Sequence, residues 1–473
     1  MPFGYNGKIL HVDLTRGTTR VEEPDEKWYR TYLGGTGFVG WYLLTHLAPG
    51  TDPLSPENPL VFATSVVVGA PLSGFNRYVV GAKSPLSGAF AETEAGGYFG
   101  PELKFAGFDA LVVHGRAERP VYLWIRDGIA EIRDASGLWG LDNWLTLERL
   151  RQELGDPRVR VVSIGPAGER QVLFACLQND LEHFNGRTGM GAVMGSKNLR
   201  AIAVRGTQKL PMADPAKVQE IGKKVLELLP QSVLAQNFKK FGTPMFVMPL
   251  NNSGILPTRN FQKGIFEGAE AISGEKMTES ILVKSEGCYA CAIQCKRAVK
   301  VEGKYNADPK FGGPEYETVA SFGSFCGIDN LAAIAQANQI CNMYGLDTIS
   351  AGGTLAWAME AREQGLLSPG AADPDPRFGS ARAMLELLEA IAYRRGLGDL
   401  LAEGSVRAAR ELQGGEDFLV HTRGVELPAH TPALKKGLGL HYAVWPAGAD
   451  HNTCGHDPLV EVRSPDALDP AVR

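Results

Sequence analysis

Three cysteines fall within eight residues: Cys288-Tyr-Ala-Cys291-Ala-Ile-Gln-Cys295, a C-x2-C-x3-C run. Cysteine thiolates hold iron–sulfur clusters, and this spacing lets one loop wrap three corners of a cubane. A fourth ligand must come from elsewhere. Zinc is the rival metal, but its structural sites pair two separated ligand pairs. No second pair of the C-x2-C or H-x3-H form is present. Radical enzymes that use a sulfonium cofactor have the reverse order, C-x3-C-x2-C. Three unconnected core cysteines remain the plain alternative, because cysteine is readily buried. The spacing favours the cluster. A second chemical signal is the glycine-rich run Gly186-Arg187-Thr188-Gly189-Met190-Gly191. Its backbone N–H groups suit a phosphate, and Arg187 adds a cation.

The elements that must position these groups change character along the chain. Up to about Gly206 strand signals dominate: Val121 to Arg126 and Ile129 to Asp134 flank an Asp127-Gly128 turn. Gln171 to Cys176 and Leu199 to Val204 also read as strands, and one helix, Asp142 to Leu154, interrupts them. After Pro211 helical spacing takes over, over Pro215 to Leu229, Leu331 to Tyr344, Thr354 to Gln364, Ala381 to Arg395 and Leu400 to Leu412. Ser368 to Pro376 is a surface loop. The 473 residues suit about three domains. With 44% hydrophobic and 21% charged residues the chain can bury a large core without disulfide staples. A net charge of −5 does not suggest a general nucleic-acid or membrane-surface binder. The N-terminus lacks the basic start and long apolar run of a secretory signal, and the apolar stretch Pro59 to Leu72 is too short to span a membrane. A cytoplasmic location is expected.

Read together, these residues resemble the aldehyde:ferredoxin oxidoreductase family of tungsten enzymes. The likeness runs from Gly4–Leu14 with Thr15-Arg16-Gly17, through Arg77 to Gly88 (RYVVGAKSPLSG), to Gly186 to Ile202 (GRTGMGAVMGSKNLRAI). It continues through the cysteine triplet, Gly313-Pro314-Glu315-Tyr316-Glu317, Gly345-Leu346-Asp347-Thr348-Ile349-Ser350 and Gly448-Ala449-Asp450-His451. All seven segments stand in the family's order. The resemblance implies an α+β fold: a β-rich pterin-binding domain over 1–208, a helical domain carrying the cysteine loop over 209–417, and the start of a third, helical domain over 418–473. It also implies a 4Fe-4S cluster and a tungsten or molybdenum bis-pterin, with magnesium bridging the pterin phosphates in many members. The metal is then bound mainly by cofactor sulfurs, so no ligand motif for it is expected in the chain. The protein supplies binding, orientation and electrostatics.

The roles that the resemblance assigns follow residue by residue. Cys288, Cys291 and Cys295 bind the cluster. Arg77 links pterin and cluster, and Gly96 and Gly97 let backbone approach a pterin. Gly186 and Arg187 take phosphate, while Leu346 and Asp347 belong to the pterin motif, Asp347 accepting ring N–H groups. Glu315 and His451 stand beside the metal and move protons. Each has a plainer alternative: a turn for Gly96 and Gly97, an N-cap for Asp347, a salt-bridged glutamate, a satisfied core histidine. Several positions depart from the family pattern. Glu94 stands for the usual Asn, His183 and Phe184 for a common Arg-Ala pair, Asn342 for the first Asp of D-x-x-G-L-D, and Ala447 for an arginine. Some pterin or phosphate contacts are therefore expected to be rearranged.

The implied reaction is oxidation of an aldehyde to a carboxylic acid, with water as the oxygen source and electrons leaving singly through the cluster to ferredoxin. Alternatives are an aromatic-ring-reducing acyl-CoA reductase type, which resembles GPEYE and GADH poorly, a non-catalytic electron-transfer subunit, and a zinc-binding structural protein. The family's fourth cluster cysteine lies in a second pterin motif well after His451. Cys454 does not match it, so a C-terminal part is expected beyond Arg473. A homodimer is left open, without an E-x-x-H pattern to support a shared metal.

Overall fold

The computed structural model describes residues 3–453. Six strands form a first sheet: β1 (Ile9–Asp13), β2 (Thr18–Glu22), β3 (Leu60–Ala63), β4 (Tyr78–Lys83), β5 (Phe90–Ala95) and β6 (Ala110–His114). Their order is β2-β1-β6-β3-β4-β5, and only the β1–β6 pair is parallel. A second six-stranded sheet has β7 (Val121–Arg126), β8 (Ile129–Asp134), β9 (Arg160–Ser163), β10 (Leu177–Asn179), β11 (His183–Asn185) and β12 (Leu199–Arg205), in the order β11-β10-β9-β12-β7-β8.

The two-residue period of a strand sorts the core. Leu10, Val12, Phe62, Val80 and Leu111 face the second sheet and meet Leu123, Ile125, Val162 and Ile202 there. Their neighbours Ile9, Val61, Val79 and Val112 point the other way, onto Tyr29, Phe38, Val39 and Tyr42 of the helices Glu26–Tyr32 and Thr36–His46. Both sheet faces are covered, so strands such as Leu-Val-Phe-Ala are apolar throughout. A polar clasp joins the sheets: the Tyr78 hydroxyl lies between Asn179 Oδ1 and Asn185 Oδ1, and Asn185 Nδ2 donates to Thr93 O at 3.0 Å. The rest of the described chain is mainly helical and shares one large core, into which Phe174 of the first part also projects. No helix among the described residues is long and apolar enough to cross a membrane.

The expected α+β architecture is observed. The Asp127-Gly128 hairpin forms, both residues having positive φ (46° and 90°) as a tight primed turn requires. The helix Asn143–Leu154 is capped by Asp142, which accepts from Leu145 N, and ends at Gly155 in the left-handed region. Leu331–Tyr344 forms as the spacing predicts. Other expectations are corrected. Gln171 to Cys176 is a loop with a single bridge, Ala175 to Leu346. Its apolar run reflects burial of Val172, Phe174 and Ala175 in the helical core, not strand pairing. The expected helix at Thr354 starts at Thr348, because Asp347 caps it and burial overrides the weak helix formers Ser350, Gly352 and Gly353. The helix Ala381–Ala392 ends three residues before the expected Arg395. Leu400 to Leu412 divides into Leu397–Leu401 and Ser405–Leu412 at Gly404, which has φ 82°. The first part holds more helices than the one expected, among them Phe99–Phe105 and Met190–Ser196. Cys454 and the end of the expected third domain lie outside the described residues.

One buried ion pair anchors the N-terminal segment to the first sheet. Lys104 Nζ donates to Asp109 Oδ1 at 2.7 Å and to Gly4 O at 2.6 Å, and both side chains are buried. Asp109 also accepts from Gly7 N (2.8 Å) and the Tyr29 hydroxyl (3.0 Å). Lys104→Met leaves this carboxylate buried without its cation. We expect a loss of about 3–5 kcal/mol in urea unfolding, and a smaller one when Asp109→Asn is added.

Candidate functional site

The strands Leu282–Glu286 and Lys296–Val299 pair antiparallel, with Glu286 opposite Lys296, and the cysteine loop is the connection between them. Its backbone is bent at Ala290 (φ 53°) and Gln294 (φ 55°), the residues immediately before Cys291 and Cys295. Non-glycine residues in this region carry strain, which persists only where surroundings enforce it. Here the first part of the chain does so. Tyr289 N donates to Gly97 O (3.1 Å), Asn76 Nδ2 to Tyr289 O (3.1 Å) and Ala292 N to Ser73 Oγ (3.0 Å). The pKa values of Cys288 and Cys295 are raised, by burial and in part by the neighbouring thiols. Burial is the larger cause for Cys288 and for Cys295, whose thiol is pushed up to about 11. Lys296 sits beside them and pairs with Glu315 at 2.7 Å.

The hairpin of β4 and β5 brings the pterin candidates to this loop. Arg77 precedes β4, and its guanidinium lies 3.4 Å from Glu94 Oε2, on β5. Both line an open pocket of about 370 Å³ together with Gly34, Gly35, Thr36 and Asn76. Gly96 and Gly97 follow β5, and their lack of a side chain is required. A Cβ on Gly96 would come 2.9 Å from Cys288 Sγ, and one on Gly97 would come 2.9 Å from the His183 ring. His183 is buried, and its Nε2 lies 3.3 Å from Cys288 Sγ. Burial, with Lys296, Arg160 and Arg77 nearby, brings its pKa down to about 3, so the ring is neutral. Phe184 is half-buried next to it on β11.

The glycine-rich run serves packing more than its sequence suggests. Gly191 abuts Cys176 O, which a Cβ would approach to 2.5 Å, whereas a Cβ on Gly186 would meet only Phe184 Cβ, at 4.0 Å. Arg187 is buried and turned inward. Its Nη1 bonds Asp347 Oδ2 (3.2 Å) and Ser350 Oγ (3.3 Å), and its Nη2 bonds Glu426 O (2.6 Å) and Ala449 O (3.0 Å). Its Nε is buried without a hydrogen-bond partner. Asp347 is both the helix cap, accepting from Ile349 N at 2.9 Å, and the partner of Arg187. Leu346 is buried beside it. Asn342 donates to Phe311 O (2.7 Å), so in this structure its side chain ties two buried segments together.

The structure separates Glu315 from His451. Glu315 is the N-cap residue of the helix Tyr316–Phe322 and turns toward the cysteine loop, where Lys296 and Thr243 hold it. Burial opposes its charge, but Lys296 wins and keeps the carboxyl below its usual range. Glu317, in the first turn, points the other way. Its Oε1 lies 3.1 Å from His430 Nε2 and 3.7 Å from His451 Nε2, and its Oε2 accepts from Ala429 N at 2.7 Å. Lys435 Nζ lies 2.6 Å from His430 Nδ1. An ammonium group has no acceptor, so it donates to Nδ1, and the ring proton sits on Nε2, facing Glu317. Burial raises the Glu317 pKa, but His451 and His430 outweigh it and bring the carboxyl down to about 2. Burial lowers the His451 pKa against the pull of Glu317. The sequence motifs point to Glu315 with His451, whereas the structure brings His451 to Glu317 and His430, which the motifs do not single out. The signal for Glu317 was its place in the same GPEYE segment, two residues on.

These residues fit the cofactors that the sequence implied. Three converging thiols suit a cluster. Two buried polar atoms near the pterin candidates, Arg187 Nε and Glu92 Oε2, have no hydrogen-bond partner, as a polar cofactor requires. Burial raises the Glu92 pKa to about 7, Thr36 opposing and Glu94 and Asp450 adding to it, which suits N–H donors. The ligand atoms of Glu317, His430 and His451 all lie within 4.8 Å of one another.

Comparison with known proteins bears on the family of the chain. Residues 9–206 match the aldehyde ferredoxin oxidoreductase N-terminal domain, and residues 220–472 match domains 2 and 3 of the same family. The chain is 44% identical to the tungsten-containing aldehyde ferredoxin oxidoreductase of Pyrococcus abyssi over 457 residues, 95% of this chain and 74% of that protein. It is 30% identical to the WOR-like subunit of an aliphatic sulfonate oxidoreductase from Pyrococcus furiosus, over 95% of this chain and 75% of that one. Among solved structures, a chain of the active site complex BamBC of benzoyl coenzyme A reductase superposes with a TM-score of 0.82 at 28% identity, covering 95% of this chain and 70% of that chain.

The depressed Glu317 pKa ties stability to pH. Its folded value, about 2, is below its ordinary 4.5. The stabilisation is therefore complete above 4.5 and lost as the pH falls from there toward 2. Between about pH 6 and pH 2, urea unfolding is expected to show the native protein losing on the order of 3 kcal/mol more than Glu317→Gln.

Proposed function

The chain belongs to the aldehyde ferredoxin oxidoreductase family, and from that premise we propose that it oxidises an aldehyde to the carboxylic acid and passes the electrons through a 4Fe-4S cluster to ferredoxin. The observation that carries this reading is the close-set Glu317–His430–His451 group, with His430 buried and Glu317 and His451 half-buried, in a chain of that family. A tungsten or molybdenum bis-pterin, when bound, supplies the two-electron chemistry. Arg77, Glu94, Gly96, Gly97, Glu92 and Asp347 would hold its pterins, Gly186 and Arg187 would serve its phosphates, and magnesium would accompany it. Cys288, Cys291 and Cys295 would hold the cluster.

The balance is aldehyde plus water giving carboxylic acid, two protons and two electrons. The chain's own part is to handle the protons. Glu317 is ionised and can accept a proton at Oε1 from a hydrated aldehyde. His430, its Nδ1 filled by Lys435, keeps its Nε2 3.1 Å from that carboxylate. His451, its pKa lowered by burial and its Nε2 3.7 Å from Oε1, is the second titratable group on the same side. Lys296, paired with Glu315, would place a cation beside a bound cluster. Ferredoxin as carrier, a small aldehyde as substrate, a cytoplasmic location and an optional homodimer complete the proposal. The higher identity to an aldehyde oxidoreductase than to the benzoyl coenzyme A reductase chain favours this substrate class over an acyl-CoA.

Metal analysis of the full-length protein, made anaerobically with tungstate and molybdate both supplied, tests the cofactors. Tungsten or molybdenum with about four irons per chain is expected, together with aldehyde-dependent reduction of ferredoxin. Iron without either metal would favour an electron-transfer subunit, and zinc alone would overturn the cluster. In the loaded enzyme Glu317→Gln is expected to lower kcat by about 10²–10⁴-fold with metal content unchanged.

A further inference from the structure

His183 is the histidine whose ring lies against the cysteine loop. It opens β11 opposite Asn179 and is 7% exposed. Its Nε2 is 3.3 Å from Cys288 Sγ, a normal distance for a hydrogen bond to sulfur. The ring is fitted to this place. It packs on Gly97, where a Cβ would come 2.9 Å from it, and the same Gly97 accepts from Tyr289 N, next to Cys288. One glycine thus sets the spacing between imidazole and thiol. The direction of the bond follows from valence. A thiolate bound to iron carries no hydrogen, so the imidazole must be the donor, through Nε2–H.

We propose that His183 donates Nε2–H to Cys288 Sγ and so raises the reduction potential of the cluster in this enzyme. The inference rests on the reading above that the triplet binds a 4Fe-4S cluster. On reduction one electron enters the cluster and no bond breaks. Part of the added charge falls on the thiolate sulfurs, so a donor aimed at one of them strengthens its bond in the reduced state. Arg77 and Lys296 add positive charge to the region, but no direct bond from either to a cysteine sulfur is seen, whereas the contact from His183 is short and directed. His183 is therefore a positioning and tuning residue. It makes the cluster a better acceptor for electrons arriving from the substrate and a weaker donor to the carrier, and so sets which carrier potentials the enzyme can serve.

The test uses the full-length holoenzyme under anaerobic conditions, with cluster midpoint potentials taken from redox titrations followed by electron paramagnetic resonance. His183→Phe, which keeps the ring and removes the donor, is expected to shift the midpoint to a more negative value. His183→Gln, whose amide N–H can reach the sulfur, is expected to recover part of that shift. A second measurement needs no variant. With nitrogen-15-labelled histidine, pulsed resonance of the reduced native cluster is expected to show a weakly coupled nitrogen that changes isotope. An unchanged midpoint in His183→Phe with its iron intact would overturn the proposal. If that variant loses its cluster, absence of the histidine coupling in the native enzyme would overturn it instead. A native enzyme without iron would fail earlier and differently, by removing the cluster on which the inference depends.

Discussion

A single buried guanidinium holds the site's three sources together. Arg187 comes from the glycine-rich run of the first part, Asp347 and Ser350 from the helical body, and Glu426 and Ala449 from the segment that ends in His451. A cation taken out of water is stable only when its charge is paired and its donors are occupied. Asp347 provides the charge, and the two carbonyls fix the chain shortly before His430 and shortly before His451. Remove the guanidinium and a buried carboxylate is left without its cation at the meeting point of all three. The position of His451 relative to Glu317 thus depends on a residue that touches neither.

Around that point the charges are arranged in two separated sets. One lies at the cysteine loop, where Lys296 and Glu315 neutralise each other beside the thiols. The other lies at Glu317, whose charge is held by two imidazoles and a backbone N–H. Both begin from the same short segment. The chain enters a helix at Tyr316, and the side chains before and after it leave in opposite directions. Two carboxylates, two residues apart, therefore serve two different groups.

The strained turns at Ala290 and Gln294 belong to the same design. A loop that must present three sulfurs inward cannot stay in relaxed conformations, and its own short strands do not compel it. The surface formed by Ser73, Asn76 and Gly97 does, through hydrogen bonds to Tyr289, Ala290 and Ala292. The pocket beside Arg77 and the cysteine loop share that surface, so a change in one is felt in the other.

Much of this was legible in the chain alone. The C-x2-C-x3-C spacing, the Asp127-Gly128 hairpin, the Asp142 cap and the helix Leu331–Tyr344 are local, and local chemistry decides them. The order of motifs was enough to indicate the family. What only the tertiary structure decided is long-range. Burial from a distant helix, not pairing, made Val172 to Ala175 apolar, so the run read falsely as a strand. The inward turn of Arg187 and the arrival of His430 beside Glu317 each depend on segments more than a hundred residues apart. Spacing along the chain states which groups are available. Which face each side chain takes, and whether another charge waits there, is set by the packing that buries it.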